Sequence, residues 1–178
     1  MIRIISGTNR PGNLSLKLAF EYQERLSRKG LPGKIYSLED LPIDVAFNDL
    51  YGKRSPVFRK VQDMVDHSQT FVFIVPEYNG SLPGILKLFI DACDYPGSFK
   101  DKKIAMVGLS AGDRGNSYGL NHLQDIMEYL GATVLTSRVI VPKVREIING
   151  DGRLFSEAVF RDIDTQIDEL RSLQVTSL

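Results

Sequence analysis

The sequence contains one cysteine, two histidines and no tryptophan among its 178 residues. Because Cys93 stands alone, no intramolecular disulfide can form, and we expect a protein of a reducing compartment, namely the cytoplasm. One cysteine and two histidines are too few for a zinc site built from these two residue types. The sequence also shows no group of carboxylates spaced as metal ligands, so it predicts no metal site.

Net charge and long apolar runs are also missing. Lysine plus arginine and aspartate plus glutamate each number 22, so the formal net charge is zero. This balance argues against nucleic acid and anionic membranes as partners, because both attract clustered positive charge. No run approaches the ~18 apolar residues of a membrane span, and Ile2-Arg3-Ile4-Ile5 has the pattern of a strand rather than of a signal peptide. The length predicts one domain at residues 1–173, followed by a loose tail at 174–178.

What the sequence does contain is a repeated alternation of strand and helix patterns. Phe71 to Val75 is apolar at every position, which is typical of a strand buried on both faces of a parallel sheet. Leu14, Leu18 and Tyr22 recur every four residues, as on one face of a helix. The predicted strands are 2–6, 34–38, 71–75, 104–109 and part of 133–141, and helical stripes run over 14–26, 57–65, 85–92, 120–130 and 155–170.

This alternation predicts an α/β fold, a three-layer sandwich with helices on both faces of a five-stranded parallel sheet. Five strands fit the flavodoxin-like order 2-1-3-4-5, in which a ligand binds beyond the carboxyl ends of the strands where the order reverses. The loops 6–15, 76–84 and 110–117 follow strands 1, 3 and 4 and are rich in Gly, Ser, Thr, Asn and Pro. We therefore expect these three loops to line one site.

The first of these loops has the residues of a phosphate site. Gly7 and Gly12 let the backbone approach an anion closely, and the N-terminus of the next helix offers free N–H groups and a positive dipole end. An ordinary polar loop with a capped helix is the alternative interpretation. The candidate donors to phosphate are Thr8, Arg10, Asn13 and Ser15.

Two further motifs match well-known sites only in part. Gly7 and Gly12 have the spacing of a P-loop, but Asn13 and Leu14 stand where that motif needs Lys and Ser or Thr, so nucleotide triphosphate hydrolysis is not expected. Gly108-Leu109-Ser110-Ala111-Gly112 matches a G-x-S-x-G nucleophile elbow. The one later histidine, His122, lies in the very next helix pattern rather than on a late loop, which disfavours a hydrolase triad.

The segment Pro76-Glu77-Tyr78-Asn79-Gly80, placed after an all-apolar strand, resembles the P-E-Y-N signature of the NADPH-dependent FMN reductase family. That family comprises flavodoxin-like quinone, azo-dye and chromate reductases. Gly7-Thr8-Asn9-Arg10 and Asn13-Leu14-Ser15 resemble its phosphate loop, and Leu130-Gly131-Ala132 resembles a late turn of the family. The resemblance covers nearly the whole chain.

The resemblance implies which residues hold FMN. The phosphate would be held by the first loop, the isoalloxazine and ribityl chain by the second, largely through backbone groups, and the ring edge by the third. Arg114 is a candidate for contact with the flavin or an NADPH phosphate, with a solvated surface arginine as the alternative. The implied residues are Thr8, Arg10, Asn13, Leu14 and Ser15; Pro76, Glu77, Tyr78, Asn79 and Gly80; and Ser110 and Gly112.

The implied activity is hydride transfer from NADPH or NADH through FMN to a small acceptor, such as a quinone, an azo or nitro compound, or free flavin. A ping-pong scheme of this kind needs no catalytic side chain, because the cofactor supplies the chemistry. The resemblance also implies a homodimer or a dimer of dimers, with Cys93 to Pro96 at positions like the family's dimer contact and substrate entrance. The alternatives are a flavodoxin-like FMN electron carrier that serves a protein partner, and a binding module without turnover.

Overall fold

Five parallel strands form one sheet in the computed structural model, which describes residues 1–51, 53–149 and 153–175. Their order across the sheet is 2-1-3-4-5, which confirms the predicted flavodoxin-like order. All neighbouring pairs are parallel, so the five carboxyl ends lie along one edge. The strands are β1 (Ile2–Ser6), β2 (Gly33–Ser37), β3 (Thr70–Pro76), β4 (Lys103–Leu109) and β5 (Thr133–Val141).

Helices cover both faces of this sheet, which confirms the three-layer sandwich. None of the helices within the described ranges is both long and apolar enough to cross a membrane. The helices are α1 (Leu14–Arg28), α2 (Val45–Asn48), α3 (Pro56–Asp66), α4 (Gly84–Ala92), α5 (Ser117–Tyr129) and α6 (Glu157–Val175).

The side chains of β3 explain why that strand is apolar throughout. Phe71 and Phe73 pack with α3, α4 and α5 on one face, and Val72 and Ile74 pack with α1 and α6 on the other. All four side chains are fully buried. Successive side chains of a strand point to opposite faces, so a central strand with helices on both sides must be apolar at consecutive positions.

The structure differs from the predicted elements in two connecting regions. Residues 39–55, between the second predicted strand and the second predicted helix, contain the short helix α2 and the end of a 3₁₀ turn at Leu38–Asp40. The last helix begins at Glu157, so Phe155, which was predicted to lie on it, is outside the helix and exposed. Ser156 caps this helix, since its side-chain oxygen accepts a hydrogen bond from the N–H of Val159 (3.4 Å). At the other end α6 continues to Val175, and residues 176–178 of the predicted tail lie outside the described residues.

Candidate functional site

The three polar loops meet at the carboxyl edge of the sheet around a pocket of about 400 Å³, hereafter the carboxyl-edge pocket. Predicted site residues from all three loops line it, and so do several residues that the sequence did not single out. Asn79, Gly80 and Gly112 flank the pocket without lining it. The predicted residues in the lining are Thr8, Arg10, Asn13, Leu14, Ser15, Pro76, Glu77, Tyr78 and Ser110.

The loop after β1 brings unpaired hydrogen-bond donors to the pocket at the start of α1. Leu14 and Ser15 are the first residues of that helix, where backbone N–H groups have no acceptor within the helix. The Ser15 hydroxyl is buried and has no hydrogen-bond partner among the described residues. A buried polar group without a partner is costly, and this one lies at the helix N-terminus beside the pocket.

Asn13 builds this end of the pocket but keeps no free donor. Its Oδ1 accepts hydrogen bonds from the N–H of Leu16 (2.7 Å) and from the Ser6 hydroxyl (3.2 Å). Its Nδ2 donates to the Arg10 carbonyl (2.8 Å) and to Glu39 Oε1 (2.5 Å). The side chain therefore caps α1 and fixes the loop.

The first and second loops are joined by a hydrogen bond between two hydroxyls, those of Thr8 and Tyr78 (2.7 Å). Thr8 is almost fully buried, and its Oγ1 also accepts from the N–H of Arg10 at 3.3 Å. Tyr78 is half-buried and lines the pocket, so it is not a freely exposed loop aromatic. The bond holds the Tyr78 ring beside the start of the loop after β1.

The second loop turns back tightly after Tyr78. Asn79 (φ 52°) and Gly80 (φ 73°) both have positive φ, as a type I′ turn requires. Tyr78 and Ser81 exchange both backbone hydrogen bonds across the turn, at 3.0 and 3.1 Å. The N–H groups of Tyr78 and Ser81 are therefore used within the protein, and those of Asn79 and Gly80 lie at the tip of the turn.

The third loop is folded around Ser110. The Ser110 hydroxyl donates to the Gly112 carbonyl (2.9 Å) and accepts from the N–H of Gly115 (3.0 Å). A Cβ on Gly108 would lie 2.3 Å from the Gly115 carbonyl oxygen, so packing of this loop requires that glycine. His122 hydrogen-bonds Ser81 (2.8 Å) rather than Ser110. The G-x-S-x-G pattern therefore reflects how the loop folds rather than a nucleophile.

A fourth segment, after β5, completes the carboxyl-edge pocket and was missed by the sequence analysis. Val144 and Arg145 line the pocket from a 3₁₀ turn. The turn is tied to the third loop because the N–H of Val144 donates to the Ser110 carbonyl (3.0 Å) and that of Lys143 donates to the Gly112 carbonyl (2.9 Å). The predicted strand order could have indicated this segment, since β5 ends at the same edge of the sheet as strands 1, 3 and 4.

Arg114, the other candidate from the sequence, is not among the residues that line this pocket. Its guanidinium lies 5.1 Å from the centre of the Tyr118 ring, which is the geometry of an exposed cation–π contact. The charge at this side of the pocket therefore comes from Arg145 instead.

A second cavity of about 460 Å³, hereafter the α4–α5 groove, lies between these two helices and the segment after α4. Its aromatic wall is formed by Tyr95 and Tyr129, whose rings stack at 6.5 Å and are mostly exposed. Cys93 also lines the groove but is buried, and burial raises the pKa of its thiol. A thiol that remains protonated is a poor nucleophile, so the groove lacks a reactive group at this position.

Comparison with protein families gives a match along most of the chain. The model of the family described as NADPH-dependent FMN reductase matches residues 1–146. An NAD(P)H-dependent FMN reductase of Pseudomonas aeruginosa is 27% identical over 145 residues, which are 79% of this chain and 78% of that protein. A quinone reductase of Pseudomonas putida is 30% identical over 126 residues, which are 68% of this chain and 65% of that protein.

Solved structures show the same fold. A flavoenzyme NAD(P)H:(acceptor) oxidoreductase from Paracoccus denitrificans superposes with a TM-score of 0.78 at 24% identity, over 94% of this chain and 93% of that one. A flavodoxin from the domain Archaea superposes with a TM-score of 0.64 at 14% identity, over 98% and 99% of the two chains. At these identities the superpositions establish the architecture.

Proposed function

The chain belongs to the NADPH-dependent FMN reductase family, an oxidoreductase family that uses FMN and NAD(P)H, and we propose that its carboxyl-edge pocket holds FMN. When bound, FMN supplies the redox chemistry, as acceptor and then donor of a hydride equivalent. We propose that the nicotinamide and a small acceptor use the open side of the pocket in turn, in a ping-pong reaction. The acceptor classes that we propose are quinones, azo or nitro compounds and free flavin.

The observation that carries this proposal is the buried, unpartnered hydroxyl of Ser15 at the N-terminus of α1. A phosphate placed there would accept a hydrogen bond from Ser15 and from the N–H groups of the first helical turn. The exposed guanidinium of Arg10 would add a charge-assisted contact from the rim. The N-cap bonds of Asn13 would hold this arrangement in place.

The flat part of the flavin would lie against the second and third loops. The two loops are joined, because the N–H of Glu77 donates to the Leu109 carbonyl (3.0 Å). Pro76 and Tyr78 of the second loop and Ser110 of the third loop line the pocket. Contacts from Asn79, Gly80 and Gly112 remain predictions, since these residues flank the pocket.

In this scheme FMN supplies the chemistry, so the proposal asks the side chains around the pocket only to shape it. The Thr8 hydroxyl is bonded to Tyr78 of the second loop, and the Ser110 hydroxyl and the Asn13 amide are bonded within their own loops. Their task in the proposed reaction is to hold the walls of the pocket at fixed positions, so that a nicotinamide or acceptor ring has one place to stack.

The deciding experiment is an absorbance titration of the purified protein with FMN, followed by anaerobic addition of NADPH or NADH. We expect a yellow protein whose flavin bands are bleached by at least one dinucleotide and restored by a benzoquinone. Parallel lines in a double-reciprocal plot of initial rates would support the ping-pong order. Bleaching by dithionite alone would favour the electron-carrier alternative, and failure to take up FMN would overturn the proposal.

We further propose that the α4–α5 groove is the contact surface of a homodimer. Tyr95 follows α4 at a position like the family's dimer contact, and it forms with Tyr129 an exposed aromatic patch. Aromatic side chains are enriched in such contacts because they bury large areas at small entropic cost. A dimer made through one self-complementary patch would have twofold symmetry.

A further inference from the structure

Two arginines line the carboxyl-edge pocket, and they approach it from different segments. Arg10 belongs to the loop after β1, next to the start of α1, and Arg145 belongs to the 3₁₀ turn after β5. Val144, the residue before Arg145, is buried and bonded through its N–H to the Ser110 carbonyl (3.0 Å). Arg145 is thus an exposed side chain on a backbone that is anchored beside the third loop.

The positive charge of Arg145 is not neutralised by the protein. Within the part of the chain that the structure describes, its guanidinium forms no ion pair or side-chain hydrogen bond. Arg25 and Arg54, in contrast, pair with Asp164 and Asp94. The acidic side chain on the neighbouring loop, Asp113, pairs with Lys143 instead (3.1 Å).

The proposed FMN phosphate does not require Arg145 as a hydrogen-bond donor. That phosphate already has the first turn of α1, the Ser15 hydroxyl and Arg10 as donors. The second molecule that must enter this pocket, a nicotinamide dinucleotide, carries phosphates of its own. An exposed arginine on an anchored turn suits a ligand that binds and leaves in every cycle, because its planar fork forms two parallel bonds to phosphate without burial of the charge.

We propose that Arg145 binds a phosphate group of the nicotinamide dinucleotide and is a specificity-determining residue for the reductant. This inference rests on the proposed function, since it requires that the pocket hold FMN and accept the dinucleotide. The phosphate is either the 2′-phosphate that distinguishes NADPH from NADH or the pyrophosphate that both share, and the two sources give different results in the test.

The test compares Arg145→Gln with the wild type, both loaded with FMN, by isothermal titration with NADP⁺ and with NAD⁺. Loss of a charge-assisted contact is expected to weaken NADP⁺ binding by about tenfold or more. An effect on NADP⁺ alone identifies the 2′-phosphate, and an equal effect on both dinucleotides identifies the pyrophosphate. Arg145→Lys keeps the charge but loses the planar guanidinium, so its dissociation constants should lie between those of the wild type and Arg145→Gln.

Arg153→Gln is the matched control, because Arg153 is an exposed arginine on the same connection between β5 and α6 and does not line the carboxyl-edge pocket. This substitution should leave the dissociation constants of NADP⁺ and NAD⁺ unchanged. The FMN dissociation constant of Arg145→Gln should also equal that of the wild type.

The inference is overturned if Arg145→Gln binds both dinucleotides as the wild type does, or if it loses FMN affinity instead. Anaerobic reduction of the wild-type flavin separates this failure from that of the proposed function. A wild type that neither dinucleotide reduces refutes the proposed function and this inference with it. A wild type that is reduced, with a variant that binds dinucleotides unchanged, refutes only the role of Arg145.

Discussion

The carboxyl-edge pocket and the α4–α5 groove have similar volumes, about 400 and 460 Å³, but they are built from different groups. The pocket is lined mostly by loop residues, and the side chains of Asn13 and Ser110 are hydrogen-bonded within those loops. The groove is lined by side chains of α4, of α5 and of the segment after α4, and it includes the exposed, stacked rings of Tyr95 and Tyr129.

This difference indicates two kinds of ligand. Fixed polar loops at a helix N-terminus suit a small anionic molecule, because the donors are already oriented before it binds. Exposed aromatic rings suit another protein surface, because area burial supplies the free energy there. Substitutions of these rings should therefore change assembly, and substitutions of the groups proposed to hold the FMN phosphate should change flavin affinity.

The largest expected effect is on assembly. Tyr129→Lys places a charge in the aromatic patch of the proposed dimer contact. Truncation or replacement of a central aromatic residue in an interface costs about 2–4 kcal/mol, so we expect the dimer dissociation constant to rise by about 30-fold or more. Sedimentation equilibrium over a range of concentrations measures this change directly.

Phe20→Lys is the control for this experiment, because Phe20 is an exposed aromatic residue of α1 outside the groove. It should leave the association state unchanged. Equal masses for wild type and Tyr129→Lys at every concentration would show that the groove is not the dimer contact. Reduced FMN affinity in Tyr129→Lys would contradict the assignment of separate functions to the two cavities.

The next effect is on the phosphate end of the pocket. Ser15→Ala removes the buried hydroxyl that has no partner in the protein. If it donates to the FMN phosphate, the lost bond is worth about 1.5–3 kcal/mol, and FMN should dissociate about 10- to 150-fold more readily. Quenching of flavin fluorescence during titration of the flavin-free protein gives the dissociation constant.

Riboflavin, which lacks the phosphate, provides the control ligand for Ser15→Ala. Its affinity should be the same for both proteins, and the flavin-free variant should be no less stable than the wild type, because the substitution removes a buried polar group that has no partner among the described residues. An equal loss of affinity for FMN and riboflavin would place the hydroxyl at another part of the flavin and contradict the phosphate assignment.

Asn13→Ala should reduce the stability of the protein, whereas Ser15→Ala should reduce FMN affinity. Its amide caps α1 and bonds the Arg10 carbonyl, so the variant should lose about 0.5–2 kcal/mol of unfolding free energy in urea. FMN affinity should fall only because the loop is less well ordered. A variant that unfolds like the wild type but binds FMN poorly would show that Asn13 contacts the ligand directly.

The sequence predicted the strand order and the meeting of three loops because both follow from local patterns. The all-apolar run from Phe71 to Val75 fixes a central parallel strand, and polar loops after neighbouring strands must share an edge. The Asn79-Gly80 pair predicts a tight turn by its backbone preference alone. These features depend on residues close together in the chain.

The parts that the sequence did not predict depend on tertiary contacts. Nothing local places Arg145 at the pocket, because its turn is positioned by hydrogen bonds to the carbonyls of Ser110 and Gly112. In the same way, the composition of the first loop cannot distinguish a ligand donor from a helix cap. The hydrogen bonds of Asn13 show that its side chain is a helix cap, and the Ser15 hydroxyl has no partner among the described residues.

The smallest expected effect concerns the bond between the first two loops. Tyr78→Phe keeps the ring that lines the pocket and removes its 2.7 Å hydrogen bond to Thr8. A bond of this kind contributes about 0.5–1.5 kcal/mol, so the flavin-free variant should lose that much unfolding free energy in urea. The association state should stay the same, since Tyr78 lies outside the groove.

A double-mutant cycle isolates this contribution, since Thr8→Val removes the same bond from its other end. Thr8→Val alone should cost more than Tyr78→Phe, because the Thr8 hydroxyl also accepts from the N–H of Arg10 (3.3 Å). Once Thr8 is valine, Tyr78→Phe should have almost no further effect, and the difference between the two backgrounds is the coupling energy. Strict additivity of the two substitutions would mean that the loops are held together by backbone contacts such as that of Glu77 with Leu109 rather than by the hydroxyl pair.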